Sequence, residues 1–391
     1  MKLQHLRKEA VMTVYFDNSA TTKVCPEAIE AMTAMMAEDY GNPSSTHLLG
    51  RRAKALLDTF RAKVADAIGA KNDEIFFTSG GTESDNWAIL GTAELMRHNG
   101  KHIITTATEH DAVLKTVEKL KTKGYEVTYL MPNPKTGRVS AEDLMDAIRE
   151  DTVLVSVMLV NNETGALNPI SEMAKVIKKK NSQAILHTDA VQGFCKVPVS
   201  VKTLGADLVT LSSHKIHGPK GVGALYVRKG LRLPAIITGG GQEGGYRSGT
   251  EPLPAIAGFA AAAAKGTDSL QKDEAHMREL RAFTAEAIKE RLPDAVFIGE
   301  GDAPHILSVS LPGYKSEVLM NFLDAAGICV SKGSACKKGR RSHVLEAMKV
   351  PVHIIDGAIR VSFCGENTKE EAEYFVNNLV EACSKLRKVL R

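Results

Sequence analysis

Between residues 74 and 229, short apolar or β-branched runs alternate with amphipathic stretches of helical period: "EIFFT", "HIITT", "EVTYLM", "TVLVSVMLV", "AILHTDA", "DLVTLSS" and "GALYVR". Strands that bury both faces read as near-continuous apolar runs, and parallel neighbours need crossover connections between them. The pattern therefore predicts an α/β core built on a mostly parallel sheet covered by helices. With 391 residues, 43% of them hydrophobic and 25% charged, the chain has ample material to bury such a core.

A Gly-rich stretch, "TGGGQEGGYRSGT", closes this core, and an alanine-rich helical segment follows from about Pro252 to Arg291. A second, smaller α/β pattern comes next. It comprises "HILSVSL", a helix from Ser316, "GICVSKG", a helix from Ser342, "AIRVSFC" and a terminal helix in which Thr368 and Glu371 have capping-box spacing. The expected organisation is a large domain over residues 16–265 and a small domain assembled from 1–15 and 266–391.

Charge excludes little but favours less. The formal net charge is +4, and "KKK" at Lys178 to Lys180 falls where a helix is ending, so direct nucleic-acid binding is not expected. No run approaches the roughly 18 apolar residues of a membrane span, and the N-terminal stretch lacks an apolar signal core. A cytoplasmic chain without membrane contact is the expectation. The cysteines Cys25, Cys195, Cys329, Cys336, Cys364 and Cys383 form no CxxC pair and show no zinc-type spacing with histidine, which favours reduced thiols and no metal.

Two charged residues stand out because they end apolar strand patterns: Lys215 in "LSSHK" and Asp189 in "ILHTDAVQG". A lysine there is costly unless paired, solvated or covalently engaged, and alone it is most simply a paired strand-end lysine. In open parallel sheets ligands bind outside the carboxyl ends of the strands, so both side chains can reach one crevice. An amine and a carboxylate so placed suit pyridoxal phosphate: the lysine forms a Schiff base, and the carboxylate keeps the ring nitrogen protonated.

A phosphate site should accompany them. "FFTSGGTESDN" supplies a strand, a small-residue turn from Ser79 to Thr82 and a helix expected near Glu83, and Ser212 and His214 precede the lysine. His110 in "TATEHDAVL" follows another strand, where its imidazole either stacks on a cofactor ring or simply bonds near a helix N-terminus. Asn161 and Asn162 in "VNNETG" either bond a ring hydroxyl or substrate carboxylate or form a plain turn.

"FDNSATT", "GNPSSTH", "FTSGGTESDN", "TEHDAVL", "VNNETG", "TDAVQ", "SSHKIHGPKGVGALYV", "GGGQEGGYRSGT" and "GSAC" occur here in the order found in the NifS/IscS-like cysteine desulfurases, which the chain resembles from about Tyr15 to its terminal helix. These are fold-type I pyridoxal-phosphate enzymes of the class V aminotransferase group. The resemblance implies that Lys215 carries the cofactor, that Gly81, Thr82, Ser212 and His214 hold its phosphate, and that Asp189 pairs with its ring nitrogen. It further implies Gln192 and Asn162 near the ring hydroxyl, His110 stacked on the ring, and Thr250 reaching the phosphate of the neighbouring subunit in a homodimer. Arg360 matches the arginine that grips the α-carboxylate of L-cysteine, a task suited to a planar, bidentate guanidinium.

The implied reaction gives L-alanine and a persulfide on Cys336. Its sulfur then passes to an acceptor protein, an iron–sulfur scaffold or a tRNA-thiolation enzyme. The competing readings are a selenocysteine lyase, another class V aminotransferase or lyase, and a non-catalytic scaffold. In "SKGSACKKGRR" the expected nucleophile, Cys336, is set among small residues that favour conformational freedom, and Lys337, Lys338, Arg340 and Arg341 follow it. An unperturbed thiol of pKa about 8.5 is only about 3% thiolate at pH 7, and nearby cations raise that fraction. The insert after the cysteine is shorter and more basic than in long-loop members, so a further expectation is that this rim recruits an acidic acceptor protein or an RNA-modifying partner.

Overall fold

The computed structural model describes residues 13–332 and 341–388. Cys336, Lys337, Lys338 and Arg340 lie outside the described residues. Among those described, the strands are β1 (Val14–Tyr15), β2 (Ile75–Thr78), β3 (His102–Thr106), β4 (Glu126–Leu130), β5 (Thr152–Ser156), β6 (Ile185–Asp189), β7 (Leu208–Ser212), β8 (Gly223–Val227), β9 (Val296–Phe297), β10 (Ile306–Ser310), β11 (Ile328–Cys329) and β12 (Ala358–Ser362).

Seven of them form one sheet in the order β2-β8-β7-β6-β5-β3-β4. Neighbours from β7 to β4 pair in parallel, while β8 runs antiparallel to both β7 and β2. This is the mostly parallel, helix-covered α/β sheet read from the sequence. The apolar runs explain the layering: along β8, Ala224 and Tyr226 enter one hydrophobic layer with Phe60, Val64 and Phe259, whereas Leu225 and Val227 enter the other with Trp87, Val113 and Val117.

The expected nine-residue strand "TVLVSVMLV" ends as β5 at Ser156. Its remainder still follows β6, with Val157 N–H donating to His187 O (3.1 Å) and Leu159 N–H to Asp189 O (2.8 Å). The segment expected as one long helix is two, Leu253–Asp268 and Leu270–Arg291. They part at Ser269, whose hydroxyl bonds Lys265 O (3.0 Å) and the Asp273 carboxylate (2.6 Å) in competition with the backbone ladder.

A second layer of structure packs β12-β10-β9 and the β1–β11 pair against the helices Leu270–Arg291, Ser316–Ala325 and Lys369–Lys385. Phe16 lies at its centre, edge-on to Phe363 (5.1 Å between centroids) and Phe375 (5.9 Å). The terminal helix opens on the anticipated capping box: Thr368 Oγ accepts from Glu371 N–H (3.2 Å) and the Glu371 carboxylate accepts from Thr368 N–H (3.0 Å). No helix among the described residues is long and apolar enough to cross a membrane.

Because β2 is antiparallel to β8, and β8 to β7, the carboxyl ends of β2, β3, β5, β6 and β7 share one edge of the sheet. Gly223 pairs with both Thr78 and Ser212 at that edge. A Cβ on it would stand 2.7 Å from Gly80 Cα and 2.6 Å from Leu211 O, so the missing side chain lets the turn after β2 close against β8. Gly223→Ala is expected to cost ~1–3 kcal/mol of stability through this overpacking, seen as a lower denaturant midpoint with an unchanged slope.

Candidate active site

Five strand ends converge on a cavity of about 310 Å³, within the range of small-molecule sites. Its wall includes Gly81 and Thr82 after β2, His110 after β3 and Asn162 after β5. Asp189 and Gln192 come from the end of β6, Ser212, His214 and Lys215 from the end of β7, and Arg360 from β12. The sequence-derived residues are thus brought together with two exceptions. Thr250 is exposed and is not part of this wall, and Cys336 is not among the described residues.

The turn after β2 is built for close approach. Gly80 has φ +152°, and the helix begins at Gly81, two residues before the expected Glu83. A Cβ on Gly81 would come within 2.9 Å of Val191 Cγ2, so the turns after β2 and β6 meet backbone against side chain. The Ser212 hydroxyl, buried beside this turn, has no hydrogen-bond partner among the described residues. His214 bonds Thr21 Oγ through Nδ1 (3.2 Å), and burial holds its imidazole down at about 4, hence neutral at physiological pH.

Lys215 does not end the strand itself. β7 stops at Ser212, and the lysine completes a single 3-10 turn, Ser213–Lys215, from which Nζ donates to Ser19 O (2.6 Å) and Ala20 O (2.7 Å). Asp189, the last residue of β6, accepts from Val191 N–H (2.9 Å). Burial raises its carboxyl above the usual range, while the nearby His110 and Lys215 pull it back down. Gln192 spans to the same N-terminal segment, donating to Ser19 O (2.9 Å).

His110 N-caps the helix Asp111–Lys121, its Nδ1 accepting from Ala112 N–H (3.2 Å). The bond at a helix start is the reading the structure shows, and the ring also lines the cavity. With Nδ1 accepting, the neutral ring carries its proton on Nε2. The two asparagines separate in role. Asn161 folds its own turn, accepting from Glu163 N–H (2.9 Å) and Thr164 N–H (3.0 Å), whereas Asn162 reaches the cavity wall. Arg360 is 3% exposed; it donates to Asn162 O (2.7 Å) and to the Asp17 carboxylate (2.8 Å).

The cavity also contains groups that the sequence reading passed over: Asp85, Glu109, Glu163 and His343. Glu109 Oε1 accepts from Thr106 Oγ (2.8 Å) and Met158 N–H (2.9 Å), and its backbone O accepts from His343 Nε2 (3.0 Å). Glu163 accepts from the hydroxyl of Ser342, which caps the helix His343–Ala347 as expected. Asp85 and Glu109 lie inside "TESDN" and "TEHDAVL", where nothing local marks either acid as buried.

Comparison with known proteins places this geometry in context. The family model described as aminotransferase class-V matches residues 14–375. A protein of Methanosarcina thermophila named cysteine desulfurase IscS is 44% identical over 96% of this chain and 93% of its own length. Its namesake in Dictyoglomus turgidum is 42% identical over 96% of both. A solved structure described as a NifS-like protein superposes with a TM-score of 0.91 at 41% identity, covering 96% of this chain and all of the other. The chain belongs to the aminotransferase class-V family of pyridoxal-phosphate-dependent enzymes, among its NifS/IscS-like cysteine desulfurases.

Proposed function

We propose that this chain removes sulfur from L-cysteine, giving L-alanine and a persulfide on Cys336 that is handed to an acceptor protein. The observation that carries the reading is the meeting of Asp189, Lys215, the glycine turn at Gly81 and Arg360 in one cavity. The site also fits pyridoxal phosphate on its own terms. An unpartnered buried hydroxyl at Ser212 beside a helix N-terminus suits a phosphate, and Asp189, raised by burial, gains most from a cationic ring nitrogen.

Gly81, Thr82, Ser212 and His214 would hold the phosphate, Asp189 the ring nitrogen, and Gln192 and Asn162 the ring hydroxyl, with His110 against the ring and Lys215 as the covalent attachment. Bound there, the cofactor supplies an electron sink for bond-breaking at the substrate α-carbon. Arg360 orients the substrate carboxylate. Lys215 holds the proton exchanged at the α-carbon, and His110 Nε2 is the atom that hands a proton to or from the substrate thiol. Cys336 then forms an S–S bond to the substrate sulfur as the C–S bond breaks. The electron pair stays on the β-carbon, which takes up a proton to become the methyl group of alanine.

Exposed Thr250 would complete the site of a second copy, making the active unit a homodimer; the exposed apolar residues Ile29, Met36, Tyr40 and Leu48 support an associating surface. Separate hydrophobic clusters support a division into a large domain of 16–265 and a small one of 1–15 with 266–391, except that Phe16 packs in the smaller cluster and Ala303 and Ile306 in the larger. A cytoplasmic location suits a chain whose described cysteines are unpaired.

Cys336→Ser should abolish sulfide release from L-cysteine; unchanged release would favour a lyase or aminotransferase that needs no thiol. Lys215→Ala should lose the yellow absorbance of the lysine-bound cofactor, and persistence of that colour would return the chain to a non-catalytic role. Arg360→Ala is expected to raise KM for cysteine by about tenfold to a hundredfold, the loss of a buried charge-assisted pair, and Arg360→Lys should not restore it.

A further inference from the structure

Five carboxyl side chains line the cavity, among them Asp85 and Glu109, each 1% exposed, and Asp189 at 6%. Of these three, Asp189 alone has a neighbouring cation acting on it among the described residues, Lys215. Among the described residues no ion pair reaches Glu109, and its Oε2 is buried without a partner, while Oε1 already accepts two hydrogen bonds. Asp85 Oδ1 stands 3.6 Å from His187 Nε2, too far for a hydrogen bond. That imidazole is spent elsewhere, on Ser156 Oγ through Nδ1 (2.8 Å) and Thr210 Oγ through Nε2 (3.0 Å). Burial pushes it down to about 3, so it brings no charge.

We propose that Glu109 and Asp85 are positioning residues that act through Asp189: both are carried as neutral carboxylic acids in the cavity wall, so that Asp189 alone presents a charge to the cofactor's ring nitrogen. The proposal rests on the reading of Asp189 given above. An isolated carboxylate in a dry site sheds its charge by taking a proton, and carboxyls sharing one site resist ionising together. Burial, then the charge of Asp189, raises Asp85 well above the carboxylate range. Burial is also the first cause for Glu109, raised to about 8 with a further push from Asp189. Since Oε1 of Glu109 is the acceptor for Thr106 and Met158, the proton sits on Oε2. The remaining charged or titratable groups of the wall are Lys215, His214, His110, Asp111, Glu163, His343 and Arg360, and none of them makes an ion pair with either acid.

The proposal has a pH signature in the protein without cofactor. Folded Glu109 keeps a proton that the unfolded chain, with a carboxyl near 4.5, has already lost, so stability falls as pH rises until the group ionises at about 8. The histidines depressed by burial, His102, His187, His214, His217 and His305, push the other way until the unfolded chain's imidazoles have lost their protons well above 6.5, so the contribution of Glu109 is read against E109Q, which shares them. Between pH 6.5 and 8 the Tm of cofactor-free wild type should therefore fall relative to that of E109Q. The infrared carbonyl stretch of a protonated carboxylic acid should be present at pH 7, weaker in E109Q, and weaker in D85N. In the loaded protein, the pH profile of pyridoxal phosphate dissociation should bend near 8 in wild type and not in E109Q. Identical pH profiles and acid bands in wild type and E109Q overturn the proposal. Should E109Q fail to fold, the infrared titration of wild type and D85N decides in its place: no protonated-acid band at pH 7 overturns it. D189N separates the two readings. If its cofactor affinity is normal while the acid bands are found, the assignment of the ring-nitrogen partner fails and the neutral acids stand.

Discussion

The strands β3, β5, β6, β7 and β8 are buried along their whole length, so in these five charge finds room only where the strands stop, while the edge strand β4 opens on exposed Glu126. The polar side chains that do lie within the sheet are neutral and matched strand to strand. His102 bonds Thr152 through Nδ1 (2.7 Å) and Thr128 through Nε2 (2.8 Å), and His187 is bracketed by Ser156 and Thr210 in the same way. Thr128, Thr152 and Thr210 are therefore hydrogen-bond partners inside a dry sheet and cost the fold little, whereas the Thr188 hydroxyl is buried without a partner among the described residues. Charged side chains gather where the strands stop: Glu126 pairs with Arg149 and Asp207 with Arg228 at the amino-terminal edge, and the shared carboxyl edge is the cavity.

Placing an amine, a carboxylate and a phosphate-sized turn at one edge also concentrates unfavourable charge. Lys215 is held by the carbonyls of Ser19 and Ala20, and Arg360 bonds Asp17. The acids that remain have backbone N–H groups and hydroxyls as donors. Such donors stabilise a carboxylate less than a cation does, and in a buried site the balance falls toward the neutral acid. The same burial pushes the described thiols upward, Cys195 to about 12 and Cys383 to about 11, which leaves them protonated and poor nucleophiles at neutral pH.

What the sequence discloses follows from this geometry. A strand buried on both faces announces itself by an uninterrupted apolar run, so Asp189 and the residues after "DLVTLSS" are conspicuous at its end. Lys215 was legible for that reason, although the strand stops three residues earlier because the chain turns at Ser213. Glu109 and Asp85 were not, since an acid in a loop or on a helix carries no local sign of burial. Glu109 is enclosed by Met158, 49 residues away, and by the His343 ring, 234 residues away. The split of the long helix at Ser269 was equally hidden, because serine in a helical pattern breaks it only when its hydroxyl finds a carbonyl and an acid such as Asp273.

The segment from Phe16 to Thr22 ties the two layers of structure together at the site. Phe16 is anchored in the smaller layer, where its carbonyl accepts from Ser362 N–H (2.7 Å), and Asn18 bonds Ser362 O (3.0 Å). On the other side Ser19 O accepts from Lys215 and Gln192, and Thr22 N–H donates to His214 O (2.9 Å). Between these anchors Asp17 takes one edge of the Arg360 guanidinium, while the carbonyl of Asn162, from the large layer, takes another N–H. A planar fork bonded on two sides cannot rotate without breaking both contacts, so its orientation is set by residues from the beginning, middle and end of the chain. The carboxylate recognition proposed for Arg360 thus depends on the assembled fold and not on the strand that carries it, which is why the arginine alone, read in "AIRVSF", says so little.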